Sequence, residues 1–391
     1  MKKSFFVCLG GMLSVSVLFS CRKTEEAVQP ASNPTGSGNP VTGKVITSQK
    51  QKFVADTLAA GLDNPWGLAF LPDGRILVTE RKGEIRVVQA GKLPNERIGG
   101  LPTVYSQGQG GLLDIRLHPD YARNGWLYLT YAKPGAGGAS TALARAKLQG
   151  NQLTDWQELF EAQPFVNSGL HFGSRIAFDG KGYVFVSIGE RGDAPNAQRL
   201  DNHYGKIIRL HDDGRVPTDN PFADQPGAKP EIWSYGHRNP QGMVYQPETG
   251  TLWAHEHGPK GGDEINVIAK GKNYGWPAIT YGINYDGTPI SNLTQQVGME
   301  QPVHYWVPSI GPSGMTFVTG DRYPNWRGNL LVGALALRHL ARVEVAGTRY
   351  VGEEKLFDGL ARVRQVVQGP DGYVYVVTEG PGVVIKLIPV E

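Results

Sequence analysis

The chain has 391 residues, a formal net charge of +3, 52 Gly, 27 Pro and only two Cys. This near-neutral charge argues against nucleic acid as a partner, because nucleic-acid binding needs a strong positive field. Both cysteines, Cys8 and Cys21, lie close to the N-terminus. The rest of the chain therefore has no disulfide, and its core or a bound metal must stabilise it.

The first 21 residues have the layout of a secretory signal. Lys2 and Lys3 precede an apolar run at residues 5–19, and the segment ends in Leu-Phe-Ser-Cys at Cys21. This resembles a bacterial lipoprotein signal, although Phe19 is bulkier than usual at that position. We predict a signal peptide at residues 1–20 and a lipid anchor on Cys21. The anchor would place the protein in the cell envelope, facing the periplasm, with the outer membrane favoured over the inner membrane. An ordinary signal peptide or a membrane anchor is the alternative.

Residues 21–51 are rich in Pro, Gly, Ser, Thr, Asn and Gln and contain almost no large apolar side chain. Such a segment cannot bury enough surface to offset the entropy lost on ordering. We predict a flexible tether at residues 21–51, followed by one folded domain at residues 52–391.

The folded domain repeats one pattern: an apolar-alternating run, a turn containing Pro, Asp or Gly, and a second apolar run. The six copies lie at residues 67–79, 113–130, 175–187, 242–253, 315–332 and 365–377. Period-2 alternation with such turns indicates antiparallel hairpins. Six recurrences predict an all-β, six-bladed β-propeller, with a pair of β-sandwiches as the alternative. Residues 53–58 have no hairpin partner of their own, so we expect them to pair with residues 383–388 and close the ring.

Polar residues stand just before the first strands of four repeats, where they should converge on one face of the propeller. They are Gln109, His171, Arg238, Asn239, Arg362 and Arg364. A lone His is more often structural, but the other polar residues expected beside His171 favour a functional site. Arg362 and Arg364 are two residues apart, so they share a strand face and could clamp a planar, multiply anionic ligand. Two solvated surface charges are the alternative for this pair.

The fourth repeat is followed by a loop suited to a hard cation. The Gly258-Pro259 turn bares backbone carbonyls that could bind Ca²⁺, and a simple tight turn is the alternative. Glu264 and Tyr274 follow and are the candidate residues of a further metal site. The Glu264 carboxylate and nearby carbonyls could hold a second, structural Ca²⁺, against the alternative of a solvated turn.

Motifs of several common chemistries are missing from the sequence. It contains no Gly-x-Gly-x-x-Gly after a strand, no Walker-type loop, no His-Glu-x-x-His and no Cys-x-x-Cys. This argues against nicotinamide, nucleotide triphosphate and structural zinc chemistry.

With these residues in place, the chain resembles the soluble quinoprotein glucose dehydrogenase family, and more closely its aldose sugar dehydrogenase branch. These are six-bladed propellers that use pyrroloquinoline quinone (PQQ) and Ca²⁺. The resemblance covers residues 62–388. Its most specific segments lie at residues 108–113, 170–175, 187–192, 235–242, 256–266, 273–277 and 362–364.

The resemblance implies a role for each candidate. His171 would be the general base that takes the proton of a sugar's anomeric hydroxyl while the C1 hydride passes to the quinone, which yields a lactone. Arg238 would polarise the quinone oxygens. The carbonyls of Gly258 and Pro259 would bind the Ca²⁺ that touches the cofactor. The remaining cofactor-binding residues would be Gln109, Asn239, His257, Arg362 and Arg364. The reduced cofactor would pass electrons to a quinone or a carrier protein.

Three positions depart from the pattern of the glucose dehydrogenase proper. Leu170 replaces an Asp, His257 replaces a Gln, and Ala336 replaces a Lys that binds the cofactor. The changes at Leu170 and His257 resemble those in the aldose sugar dehydrogenase branch. The change at Ala336 removes a cation from the cofactor site. Arg338 could compensate if it shares a strand face with Ala336. Two alternative functions stay open: a non-catalytic propeller that binds a glycan or protein, and a Ca²⁺-dependent lactone hydrolase, which would need carboxylates around a metal in the channel.

Overall fold

The computed structural model describes residues 1, 43, 45–246 and 248–390. The predicted signal peptide, Cys21 and most of the predicted tether lie outside the described residues. In the part of the chain that is described, no helix combines the length and the apolar character needed to cross a membrane.

Six antiparallel sheets make up the fold, which confirms the six-bladed propeller. Two strands, β1 (Val45–Thr47) and β2 (Lys52–Leu62), precede blade 1. Blade 1 comprises β3 (Pro65–Phe70), β4 (Ile76–Glu80), β5 (Glu84–Val88) and β6 (Arg97–Ile98). Blade 2 comprises β7 (Leu112–Leu117), β8 (Trp126–Gly135), β9 (Gly138–Gln149) and β10 (Gln152–Glu161).

The later blades follow the same plan. Blade 3 comprises β11 (Ile176–Phe178), β12 (Tyr183–Ile188), β13 (Lys206–His211) and β14 (Ile232–Tyr235). Blade 4 comprises β15 (Pro240–Gln246), β16 (Thr251–Glu256), β17 (Asp263–Ile268) and β18 (His304–Trp306). Blade 5 comprises β19 (Pro312–Phe317), β20 (Leu330–Ala334), β21 (Leu340–Ala346) and β22 (Arg349–Leu356). Helical structure is confined to α1 (Tyr121–Asn124) and two 3₁₀ turns, Ala194–Gln198 and Pro324–Trp326, within the described residues.

Blade 6 joins the two ends of the domain. It contains β23 (Arg362–Gln368), β24 (Val374–Glu379) and β25 (Gly382–Val390), and β2 pairs with β25 so that Val54 faces Ile388. The predicted closure of the ring is therefore confirmed. The predicted tether needs one correction, because β1 pairs with β2 at the outer edge of this blade. Strand β1 is only three residues long, so its apolar alternation is too short to be recognised in the sequence.

An apolar cluster fills each of the six interfaces between neighbouring blades. Successive residues of one strand serve different interfaces: Val184 and Val186 pack toward blade 2, whereas Phe185 packs toward blade 4. Both faces of the inner strands are thus buried, which explains their almost continuous apolar runs. Burying one such side chain contributes about 1.5–3 kcal/mol.

The propeller axis is filled by one buried arginine. Arg175 immediately precedes β11 in blade 3, is 1% exposed, and contacts the inner strand of every other blade. Its guanidinium stacks over Trp66 at 3.8 Å and bonds the carboxylate of Asp114 at 3.4 Å, the carbonyl of Gln241 at 2.6 Å, the hydroxyl of Ser313 at 3.4 Å and the carbonyl of Arg364 at 3.0 Å. Burial lowers its pKa to about 9, so it is still charged at neutral pH.

We expect Arg175→Met to lower the free energy of unfolding by about 3–5 kcal/mol. The variant removes one of the two arginines beside the buried Asp114 carboxylate and leaves the axial carbonyls of Gln241 and Arg364 without this donor. Arg123→Met is the matched control: Arg123 is exposed and pairs with Asp120 at the surface, so its loss should cost less than about 1 kcal/mol. Urea unfolding of both variants gives the comparison. Equal small losses would show that the axial contacts do not stabilise the ring.

Candidate active site

His171 is held by a buried glutamate that the sequence did not single out. Its Nδ1 lies 2.8 Å from Oε1 of Glu190, just beyond the end of β12. Although burial acts to raise the Glu190 pKa, the hydrogen bond from His171 keeps it below its ordinary value, so Glu190 is an anionic acceptor. The proton of a neutral His171 therefore sits on Nδ1. Among the described residues Nε2 has no hydrogen-bond partner, which leaves its lone pair free.

The surroundings keep His171 neutral. Burial lowers its pKa most, the positive charge of Arg238 lowers it further, and Glu190 opposes both. The net effect is a pKa below the ordinary 6.5. A neutral imidazole with a free Nε2 is the form that a general base requires.

A second His–Glu pair in blade 4 shows the structural version of the same arrangement. His237 Nδ1 lies 2.9 Å from Glu256 Oε1, but its Nε2 is also engaged, 2.9 Å from the Ser234 hydroxyl. The other carboxylate oxygen of Glu256 accepts the backbone N–H of Arg238 at 2.6 Å. This pair thus positions Arg238 and leaves no nitrogen for chemistry.

The structure brings most of the predicted site residues together. Gln109 Oε1 accepts the backbone N–H of His171 at 3.0 Å. Asn239 Oδ1 accepts the N–H of Gly173 at 3.1 Å. Arg238 donates from Nη1 to the carbonyls of His257 and Gly258 at 3.3 and 3.2 Å. Blades 2, 3 and 4 therefore meet at one site.

One donor in this group has no partner. Asn239 is 1% exposed, and its Nδ2 makes no hydrogen bond with any described residue. A buried amide group without a partner carries a desolvation penalty of about 1–3 kcal/mol. A ligand that accepts this hydrogen bond would remove the penalty.

The two arginines of the predicted clamp differ in their exposure to solvent. Arg364 and Arg362 share one carboxylate, with Nε to Glu379 oxygen distances of 2.7 and 3.2 Å. Arg364 is buried and also donates to the Gln241 side chain and Ser313 hydroxyl. Arg362 has a side chain that is 43% exposed and donates to the carbonyl of Leu335 at 3.3 Å. Arg362 is therefore the member of the pair with room for a ligand.

His257 is fixed as a neutral side chain. Its Nε2 lies 2.7 Å from the carbonyl of Pro312, so Nε2 carries the proton and Nδ1 can accept a hydrogen bond. Burial holds its pKa well below 6.5. His257 links the site to blade 5.

The Gly258-Pro259 turn is shaped by Asp263. One Asp263 oxygen accepts the N–H of Gly258 at 2.8 Å, and the other accepts the N–H of Gly311 at 2.7 Å. The described residues contain no group of three or more His, Cys, Asp or Glu side chains arranged to hold a metal. A cation at this turn would therefore depend on backbone carbonyls and on the ligand beside it.

Two carboxylates face a small cavity beside this turn. Glu264 and Glu256 line it together with Arg238, His257 and Tyr274. Burial, and then the charge of Glu256, raise the pKa of Glu264. A cation in the cavity would relieve this repulsion. The Tyr274 hydroxyl is already committed to the carbonyl of Val267 and the N–H of Ala269, so it cannot serve as a free metal ligand.

The prediction that Ala336 and Arg338 share a strand face is wrong. Strand β20 ends at Ala334, and Ala336, Leu337 and Arg338 form an exposed turn in which Arg338 has a φ of 53°. Alternation along a strand therefore does not apply to them. Arg362, through its bond to the Leu335 carbonyl, is a cation beside this turn.

The sequence held a signal for the missed glutamates. In four blades a glutamate lies at the end of the second strand or two residues beyond it. Each of these glutamates accepts a hydrogen bond from a basic side chain, either of the same blade or of the loop that leads into an inner strand. These residues are Glu80, Glu190, Glu256 and Glu379. Comparing the ends of the second strands, as well as the starts of the first, would have found them.

Comparisons with known proteins agree with this geometry. A family model described as glucose/sorbosone dehydrogenase matches residues 62–386. The chain is 46% identical to the aldose sugar dehydrogenase YliI of Escherichia coli, over 85% of this chain and 92% of that protein. A crystal structure of a glucose dehydrogenase is 46% identical with a TM-score of 0.84, over 86% of this chain and all of the other. The PQQ-bound aldose sugar dehydrogenase of Streptomyces coelicolor is 30% identical with a TM-score of 0.71, over 88% of this chain and all of the other.

We expect Glu190→Gln to lower the pKa of His171 further, because it removes the negative charge that favours the imidazolium. Histidine signals followed by NMR in a pH titration measure the change without any ligand. Glu96→Gln, at an exposed glutamate, should leave the titration as it is. An unchanged or higher His171 pKa in Glu190→Gln would contradict the assignment of the pair.

Proposed function

We propose a reaction from one premise: this chain belongs to the glucose/sorbosone dehydrogenase family and is a sugar dehydrogenase. The proposed reaction is the PQQ-dependent oxidation of an aldose at C1 to its lactone. The hydroxyl proton and the C1 hydride leave the sugar, and the two electrons reduce the cofactor. The observation that carries the proposal is a buried, neutral His171 with Nδ1 bound to Glu190 and Nε2 free.

The residues around His171 fit a planar anionic quinone. Asn239 Nδ2 is a buried donor that needs an acceptor, and Arg238 and the exposed Arg362 supply positive charge. Gln109 uses its carbonyl oxygen on His171 and keeps its amide N–H groups for a ligand. When bound, PQQ supplies a quinone that accepts the hydride. This support comes from donors and charges, the groups that recognise quinone oxygens and carboxylates.

The protein's own part in the reaction is proton removal and orientation. His171 Nε2 takes the proton from the anomeric hydroxyl, and Glu190 stabilises the imidazolium that forms. Glu256 fixes the backbone of Arg238, and the carbonyls of His257 and Gly258 accept hydrogen bonds from its guanidinium. The guanidinium is therefore oriented before the sugar arrives. A fixed donor near developing negative charge has no reorganisation cost during the reaction.

We propose Ca²⁺ at two places. The carbonyls of Gly258 and Pro259 would bind one ion beside the cofactor, since the Gly258 carbonyl has a second lone pair beyond its bond to Arg238. Glu264, with Glu256 nearby, would bind a structural ion in the small cavity. The Tyr274 hydroxyl takes no part in this second site.

We also propose, from the sequence alone, that Cys21 carries a lipid anchor and that the enzyme works in the periplasm-facing cell envelope. Electrons would then leave for a membrane quinone or a carrier protein. Residues 2–42 lie outside the described part of the chain.

The proposed activity is tested by adding PQQ and Ca²⁺ to the purified protein and following dye reduction with several aldoses. His171→Ala should lower kcat by about 10²–10⁴-fold, the usual contribution of a general base, while PQQ affinity stays near that of the parent. PQQ binding, followed by absorbance, is the internal control. Near-normal turnover in His171→Ala would remove His171 from the mechanism.

Calcium and PQQ should bind cooperatively at the Gly258-Pro259 turn. Carbonyls alone form a weak cage, so each ligand supplies part of the other's site, and the coupling must be equal in both directions. Calorimetric titration of each ligand with and without the other measures this, with the ion near Glu264 counted separately. PQQ affinity that is indifferent to chelation by EGTA would refute the link.

A further inference from the structure

Arg191 is a buried arginine next to the proposed site with no part in the proposed reaction. It is 3% exposed and directly follows Glu190. Its Nη1 donates to the carbonyl of Leu170, and its Nη2 donates to the carbonyl of Ser168. Both acceptors belong to the loop that carries His171, so the guanidinium holds the backbone just before the proposed base.

The same guanidinium also contacts the residue after His171. Its central carbon lies 3.4 Å from the ring centroid of Phe172, in the geometry of a cation–π contact. Phe172 is itself 1% exposed. Arg191 therefore holds the loop on both sides of His171.

The loop needs such support because its backbone is unfavourable. His171 has a φ of 50° and Ser174 a φ of 83°, both in the left-handed region that costs non-glycine residues free energy. Such a conformation persists only where surrounding contacts over-determine it. Several contacts fix the loop. Arg191 donates to two of its carbonyls, the His171 N–H donates to Gln109, the Gly173 N–H donates to Asn239, and the Phe172 carbonyl accepts from the Thr141 hydroxyl.

Two consecutive residues thus hold two different parts of His171. Glu190 binds the imidazole ring, and Arg191 binds the backbone that carries it. The backbone N–H of Gly192 donates to the second oxygen of Glu190, which fixes the carboxylate in turn. Residues 190–192, just beyond β12, hold both the backbone and the ring of His171.

We propose that Arg191 is a positioning residue: by holding the loop at Ser168, Leu170 and Phe172, it places Nε2 of His171 for proton removal from the sugar. The inference rests on the proposed function for its kinetic consequence. Its structural part, the fixed backbone and ring of His171, stands on the geometry of the described chain.

The contacts with two carbonyls and one aromatic ring require an arginine at this position. A guanidinium is planar, donates two parallel N–H bonds and stacks on an aromatic ring, whereas an ammonium is a compact charge that can do only part of this. Arg191→Lys therefore keeps the charge and removes the geometry. Arg191→Ala removes both.

The charges that face His171 come from three residues. Arg238 and Arg191 lower its pKa, and Glu190 raises it. Arg191→Ala should therefore raise the His171 pKa, while Arg191→Lys should leave it closer to that of the parent. A loss of function shared by both variants cannot come from charge alone.

The first measurement uses ¹⁵N-histidine NMR on protein without added cofactor, with the His171 signals assigned through His171→Gln. The parent should show one tautomer, with the proton on Nδ1. Both Arg191 variants should show a mixture of tautomers or exchange-broadened signals. Arg199→Lys and Arg199→Ala are the matched controls, because Arg199 is exposed and pairs with Asp201 at the surface, and they should match the parent.

The second measurement is steady-state kinetics with PQQ, Ca²⁺ and an aldose. Arg191→Ala should lower kcat by about 10²-fold, the effect of misplacing a reacting group by roughly 1 Å, with KM little changed. Arg191→Lys should lose most of the same factor. Added guanidinium chloride should restore part of kcat in Arg191→Ala, and sodium chloride at equal ionic strength should not.

Parent-like NMR signals and kcat in Arg191→Lys would overturn the proposal. A lower melting temperature with unchanged NMR signals and kcat, or failure of both variants to fold, would also overturn it, because Arg191 would then be a purely structural residue. If the parent itself shows no aldose oxidation, the proposed function fails while the NMR comparison still decides whether Arg191 positions His171.

Discussion

The contacts of Arg175 along the axis are the constraint on which the rest of the structure depends. A ring of six sheets leaves a central space that each inner strand borders, and one buried guanidinium reaches the inner strands of all the other blades. A charge so deeply buried is tolerated because Asp114 and several carbonyls satisfy it. Its partners Gln241 and Arg364 also contact each other. The axial contacts therefore extend to the arginine pair of the candidate site.

The candidate site contains one structural feature several times, a glutamate paired with a basic side chain. A glutamate at the end of a blade's second strand receives a basic group from the start of a first strand or from its own blade: His171 for Glu190, His237 for Glu256, and Arg362 with Arg364 for Glu379. Three copies of one structural pairing thus produce different results. The free Nε2 of His171 distinguishes the proposed base from His237, whose two ring nitrogens are both hydrogen-bonded.

Desolvation explains how the proposed base and the proposed cofactor donors are set up before a ligand binds. Burial keeps His171 neutral, leaves Asn239 Nδ2 with an unmet hydrogen bond, and raises the pKa of Glu264. The last two states cost stability in the free protein and are relieved by an acceptor and by a cation, respectively. The neutral form of His171 is the state that burial favours. Near Ala336, Arg362 brings a partly exposed cation to the Leu335 carbonyl.

The sequence by itself determined the fold and most of the site, since period-2 alternation and turn residues repeat six times and local pattern is enough to define hairpins. It also placed His171, Arg238 and Asn239 at equivalent strand starts. Only the tertiary structure decided which carboxylate each basic group meets, because Glu190, Glu256 and Glu379 reach their partners from separate strands. The structure also decided that Arg364 is buried and Arg362 is open, and that Arg338 lies in a turn. Burial and backbone φ depend on the packing of whole blades, which no local spacing encodes.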